Sequence, residues 1–200
     1  MPRPSTSHSP LVTASWRHDG SGLSHFARSI FLIVVGTALL ALSAKVNVPL
    51  PYVPMTMQTL VVLMIGTAYG WRLSAATILA YLAEGALGLP VFAGPVGGLA
   101  PLLGPTAGFL AGFVIAALMI GWLAERGWDR SVSTLFAAML FGHVVILAMG
   151  FGWLAFGLGL GVEKAWLVGV VPFLAGSLVK STLGAVLMPA LHRFADQRKV

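Results

Sequence analysis

The run Tyr81-Leu-Ala-Glu-Gly-Ala-Leu-Gly-Leu-Pro-Val-Phe-Ala-Gly-Pro-Val-Gly-Gly98 is the stretch from which the rest of the chain is best read. It begins as the second half of an apolar helix, carries one acid at Glu84, breaks at Gly88-Leu-Pro90 and continues as a glycine-rich segment with no polar or charged side chain. A solvent-exposed connection is rich in Ser, Asn, Asp or Lys instead. Non-helical backbone at membrane depth is tolerated only where protein buries it or where it lines a cavity. The stretch therefore predicts one wall of a pocket opening near a membrane face.

Composition agrees with a membrane setting. The 200 residues are 58% hydrophobic and 9% charged, with a mean hydropathy of +0.91, against roughly 25% charged residues in soluble domains. An all-α integral membrane protein of about six spans of roughly 20 residues is expected, as one domain over residues 26–194. Residues 1–25, rich in Ser, His and Pro with Arg3 and Arg17, read as a disordered basic tail, and 195–200 as a second short tail. The first apolar run starts only near Phe26, so no signal peptide is expected. The absence of cysteine excludes disulfides, thiolate metal sites and cysteine nucleophiles.

Outward from the opening stretch, spans are expected at 27–46, 55–70, 73–89, 104–123, 132–156 and 168–192. The first must stop at Asn47-Val-Pro-Leu-Pro-Tyr-Val-Pro54, where three prolines remove backbone donors and push their predecessors out of the α region. Gly70-Trp71-Arg72 reads as a turn and Glu125-Arg126-Gly-Trp-Asp129-Arg130 as a polar loop. Thr37, Ala41 and Ala44 are among the small residues of the first span; their spacing fits close helix approach, either inside the bundle or to a partner subunit.

Basic residues give the orientation. Arg3, Arg17, Arg28, Arg72, Arg126, Arg130, Arg193, Arg198 and Lys199 fall on the side of the termini, Lys45 and Lys164 on the other. By the positive-inside rule both termini are expected in the cytoplasm, with the Pro- and Gly-rich connections facing out. The net charge of +6 is scattered over helix ends rather than gathered on a surface, so nucleic acid is not an expected partner.

Glu84 and Lys180 are the ionisable side chains expected inside spans, besides His143. A charge at a helix centre costs about 2.5–3.5 kcal/mol on insertion scales, so each needs a partner or a polar cavity. Thr77, Tyr81, Glu84, Gly85 and Gly88 share one helical face, as do Phe173, Ser177, Lys180 and Gly184. Two such faces could enclose a small polar ligand; a buried Glu84–Lys180 pair that fixes helix register is the alternative. His143 reads as a hydrogen-bonded packing residue. No H-E-x-x-H, G-x-S-x-G or Walker A motif is present, so no catalytic or metal site is expected and any ATP-driven step would need another chain.

Met55-Thr-Met-Gln-Thr-Leu60, the opening run with Leu103-Gly-Pro-Thr-Ala-Gly-Phe109, and Pro172-Phe-Leu-Ala-Gly-Ser-Leu-Val-Lys180 resemble the BioY family. BioY proteins are the biotin-binding S components of energy-coupling factor (ECF) vitamin transporters, and the resemblance spans about residues 27–194. It implies a six-helix, S-component-like bundle that takes up biotin across a bacterial inner membrane, partnered by a transmembrane T component and two ABC-type ATPases that bind the ATP. Some BioY proteins are expected to act alone. The resemblance implies that Phe92, Phe173 and Tyr81 hold the apolar parts of biotin, that Lys180, Ser177, Gln58 and Asn47 give polar contacts, and that Glu84, Gly94 and Gly98 belong to the site. It also implies Thr37, Ala41 and Ala44 as partner contacts. Ser177 stands where the family commonly has an acid. An S component for another vitamin and an intramembrane enzyme are the rival readings.

Overall fold

The computed structural model describes residues 22–95 and 97–197. Helix α1 covers Gly22–Lys45, and a two-residue antiparallel ladder pairs β1 (Asn47–Val48) with β2 (Met55–Thr56). Helix α2 covers Gln58–Ala86, a short α3 Ala100–Leu103, α4 Ala107–Ala124 and α5 Val132–Gly152, which ends in a π-helical turn at Trp153–Gly157. Helix α6 covers Val162–Gly169, followed by a 3-10 turn at Val171–Phe173 and α7 at Leu174–Gln197. Of the expected tails, 1–21 and 198–200 lie outside the described residues. Helix α1 already starts at Gly22, before the expected boundary at 26, and α7 continues past 194.

Among the described residues, five helical stretches are long and apolar enough to cross a membrane, and α2 is one of them. It is nevertheless two spans. Gly70 has φ 77° and ψ 172° inside the helix, a conformation open essentially to glycine alone, and there the chain reverses. The reversal is plain from Gln58 Nε2, which donates to the hydroxyl of Tyr81 at 2.6 Å although 23 residues separate them; a straight helix would hold them about 35 Å apart. The expected turn at Gly70-Trp71-Arg72 is thus compressed to a single residue. Gly121 of α4 sits directly against this turn, where a Cβ would meet the backbone of Gly70 and Trp71. The carboxylate of Glu125 accepts from Trp71 N–H at 3.3 Å, satisfying an orphan donor at the start of the second arm.

Lipid is as apolar as leucine, so the helices associate by close packing of small residues rather than by burial from water. Gly66 lies against Ala117 and Ile120, Gly112 against Ile146, Gly142 against Leu63 and Ile120, and Gly184 against Met139. Large apolar side chains such as Leu79, Ile115, Phe141, Leu178 and Val186 stay exposed on the outer faces. The small face of α1 is spent in the same way. Gly36 meets Thr77, Tyr69 and Ile65 of α2, and Thr37 and Ala44 are 4% and 0% exposed. Thr37 and Ala44, expected as partner contacts, are thus buried within their own bundle. Ala41 is half-buried at the edge of that face.

Two further departures concern the connections. The proline-rich segment after α1 carries the β1–β2 ladder, and residues 162–167, which fall between the expected fifth and sixth spans, are helical in α6, whose Lys164 ammonium lies 5.2 Å from the Tyr52 ring centroid. The last apolar stretch accordingly covers Val162–Leu191 and includes the expected start at 168, with Pro172 held in the 3-10 turn between α6 and α7.

Candidate functional site

At the end of the bundle away from Gly70, a cavity of about 270 Å³ opens. This is just below the roughly 300–1,000 Å³ of sites for drug-sized molecules, so it suits a small ligand. Val53, Pro54 and Thr56 of the β-hairpin form one side, and Gln58 and Thr59 of α2 continue it. Phe109, Leu110 and Phe113 come from α4, and His143, Ile146 and Leu147 from α5. Phe173, Ser177 and Lys180 complete the wall from the 3-10 turn and α7. The rings of Phe109 and Phe173 pack with centroids 5.8 Å apart.

The opening stretch supplies the remaining wall through Phe92, Ala93 and Gly94. Its base is closed by Leu89 N–H donating to Glu84 O at 3.1 Å and Gly98 N–H donating to Gly85 O at 2.7 Å. Gly85 has no side chain where the Phe92 ring lies, and the ring stands edge-on to Tyr81 at 5.5 Å. Three carbonyls of residues 91–94 are then held by helix side chains. Tyr81 donates to Val91 O at 2.9 Å, and Lys45 of α1 donates to Phe92 O at 2.7 Å and Gly94 O at 3.0 Å. The apolar glycine-rich segment is held as a wall because these three carbonyls are satisfied by side chains of α1 and α2.

Among the expected site residues, the cavity brings together Lys180, Ser177, Gln58, Phe92, Gly94 and Phe173. Tyr81, wholly buried, stands behind this wall with its hydroxyl engaged by Gln58 and Val91. Gly98 lies at the base of the loop, off the cavity. Asn47 also lies off it, because its amide donates to Ala44 O at 3.0 Å and Lys45 O at 3.2 Å to finish α1. Glu84 sits half-buried in the last turn of α2, away from the lining. The expected alternative of a Glu84–Lys180 pair is likewise corrected: the Lys180 ammonium donates to Thr56 O at 2.6 Å and Thr59 Oγ1 at 3.1 Å. Glu84 lies in the last turn of α2 and is half-buried, off the cavity that Lys180 lines.

Ser177 is 6% exposed, and its hydroxyl has no hydrogen-bond partner among the described residues. Sequence reasoning missed Lys45, Thr59, Phe109 and Phe113. Lys45 looked like an ordinary cation at a helix C-terminus. The Thr56, Gln58 and Thr59 cluster at the head of an apolar run was the available signal for Thr59, and the aromatic i, i+4 pair was the signal on α4.

The BioY family model matches residues 12–197. The chain belongs to the BioY family. Relatives include a probable biotin transporter BioY of Pyrococcus horikoshii, 36% identical over 83% of this chain and 97% of its own length. The biotin transporter BioY of Thermotoga maritima is 34% identical, over 86% and 99% of the two chains. That of Rhizobium etli is 42% identical over 68% and 75%. A crystal structure of the S component for biotin from an ECF-type ABC transporter superposes with a TM-score of 0.76 at 23% identity, covering 87% of this chain and 95% of that one. This BioY chain thus shares the S-component fold, as a multi-pass membrane protein.

Proposed function

We propose that this BioY chain captures biotin at the outer face of a bacterial plasma membrane, as the substrate-binding subunit of a vitamin transporter. The observation that carries the reading is the pairing, on adjacent turns of α7, of an ammonium donor at Lys180 with the unpartnered Ser177 hydroxyl, in a cavity otherwise walled by Phe92, Phe109, Phe113 and Phe173. A buried hydroxyl left unsatisfied costs about 1–3 kcal/mol, so a ligand that completes it is favoured. The ureido ring of biotin offers a carbonyl acceptor beside N–H donors, and its thioether ring and aliphatic chain suit the aromatic walls. The relatives named biotin transporters support the same ligand.

The segregation of basic residues supports cytoplasmic termini, which turns the cavity outward. A transmembrane T component and two ABC-type ATPases complete the transporter in this reading, in line with the fold neighbour's origin in an ECF-type ABC transporter. Native mass spectrometry of the purified protein tests the ligand: a bound species with the mass of biotin, released unchanged, is expected. Radiolabelled biotin that is displaced equally by thiamine, riboflavin or niacin would refute biotin specificity, and a chemically altered product would favour an enzyme.

A further inference from the structure

Beside the Lys180 ammonium, Thr59 and His143 of the cavity wall begin a line of polar groups that runs on to the buried Ser181 and has been given no role so far. Thr59 Oγ1, which accepts from Lys180 at 3.1 Å, is 3.3 Å from Nε2 of His143. Nδ1 of the same ring is 3.0 Å from Met139 O and 3.0 Å from Ser181 Oγ. His143 and Ser181 are 2% and 0% exposed. Gly184, on the same helix as Ser181, has no side chain where the Met139 sulfur lies, so α5 and α7 come close at this level.

The direction of each bond follows from the groups involved. An ammonium only donates, so the Thr59 oxygen accepts from it. A carbonyl only accepts, so Nδ1 carries the ring proton, shared between Met139 O and Ser181 Oγ as acceptors, which leaves Nε2 to accept the hydroxyl proton of Thr59. His143 is thereby assigned as the neutral Nδ1–H tautomer. An ammonium has three protons, and Thr56 O and Thr59 Oγ1 take two.

We propose that Thr59 and His143 are positioning residues for ligand recognition. They hold the Lys180 ammonium in one rotational setting, so that its third N–H is presented to an acceptor oxygen of the ligand. Without the Thr59 hydroxyl the ammonium turns about its Cε–Nζ bond and spreads that donor over several directions. This inference rests on the biotin reading, with the ureido or carboxylate oxygen as acceptor.

The test is a double-mutant cycle on biotin affinity, measured with the purified full-length protein. Thr59→Val keeps the branched shape and removes the hydroxyl. It is expected to weaken biotin binding about five- to tenfold in the wild-type background and less than about twofold in a Lys180→Met background, because its effect acts through that ammonium. Thr59→Ser, which restores the hydroxyl, is expected to bind within about twofold of wild type. His143→Leu reads the same cycle should Thr59→Val not fold. Equal losses in both backgrounds mean that Thr59 and His143 touch biotin directly or only support the bundle, and overturn the proposal. A wild-type protein that binds no biotin is a different result: it refutes the ligand, whereas additivity in a biotin-binding protein refutes only the positioning role.

Discussion

Lys180→Met isolates the contribution of one ammonium. Methionine keeps most of the apolar stem, so packing around α7 is largely retained while charge and donors disappear. A hydrogen bond to a charged group is worth about 1.5–3 kcal/mol. At 1.4 kcal/mol per tenfold, biotin affinity should fall by about ten- to a hundredfold. The structure adds a second consequence. Thr56 O loses its donor at 2.6 Å, and a buried acceptor left open costs about 1–3 kcal/mol of stability. Isothermal titration with biotin and thermal unfolding in detergent read the two effects separately. Because Lys180 is bonded to Thr56 and Thr59 rather than to Glu84, adding Glu84→Gln should restore neither affinity nor stability. A folded Lys180→Met protein with unchanged affinity, or rescue by the double mutant, would falsify the assignment.

Lys45→Met removes both bonds to the carbonyls of residues 92 and 94 and should speed biotin dissociation by about tenfold, with Lys45→Arg closer to wild type; stopped-flow displacement checks this, and an unchanged off-rate means that the wall holds without the tether. Gly70→Ala forces a side chain into a glycine-only conformation and should destabilise the protein by about 1–3 kcal/mol. Since the turn is at the opposite end from the cavity, protein that does fold should keep its biotin affinity, and a parallel loss of both would contradict that separation. Reporter fusions at residue 128 and at the C-terminus should read cytoplasm, and one at residue 95 the outside; a cytoplasmic signal at 95 would overturn the six-pass orientation.

Much of this architecture was legible because the membrane restricts what a chain can do. Apolar runs, the prolines after α1 and the uncharged glycine-rich stretch each had one physical reading, and the bundle and the pocket wall are as expected. The partners of the intramembrane charge were not legible. Helical periodicity placed Lys180 beside Ser177 on one face, but whether its ammonium met Glu84 or the Thr56 carbonyl depends on how the arms of α2 fold back, which a single glycine determines. The small residues of α1 show the same limit: Gly36 and Ala44 announce close approach without saying whether the neighbour belongs to the same chain. Phe109 and Phe113 were hidden because an aromatic in an apolar helix looks alike whether it faces lipid, core or cavity. Lys45 was hidden because its acceptors are backbone carbonyls, which every sequence has.

The reversal at Gly70 also sets the depth at which a ligand comes to rest. The arm from Gln58 to the turn rises only about 18 Å, while the hydrocarbon layer is about 30 Å thick. Beyond that arm the β1–β2 hairpin, the wall at residues 91–95 and the cavity between them extend the bundle. A bound molecule is therefore held between these walls beside the buried Lys180, shielded by protein from mobile counterions. Charged contacts at a water-exposed site weaken as salt rises, because the screening length shrinks to about 3 Å at 1 M. Here the one lysine at the cavity floor acts through a low-dielectric medium, where each unit of charge counts for more. Capture by this chain should accordingly be as firm in brine as in fresh water.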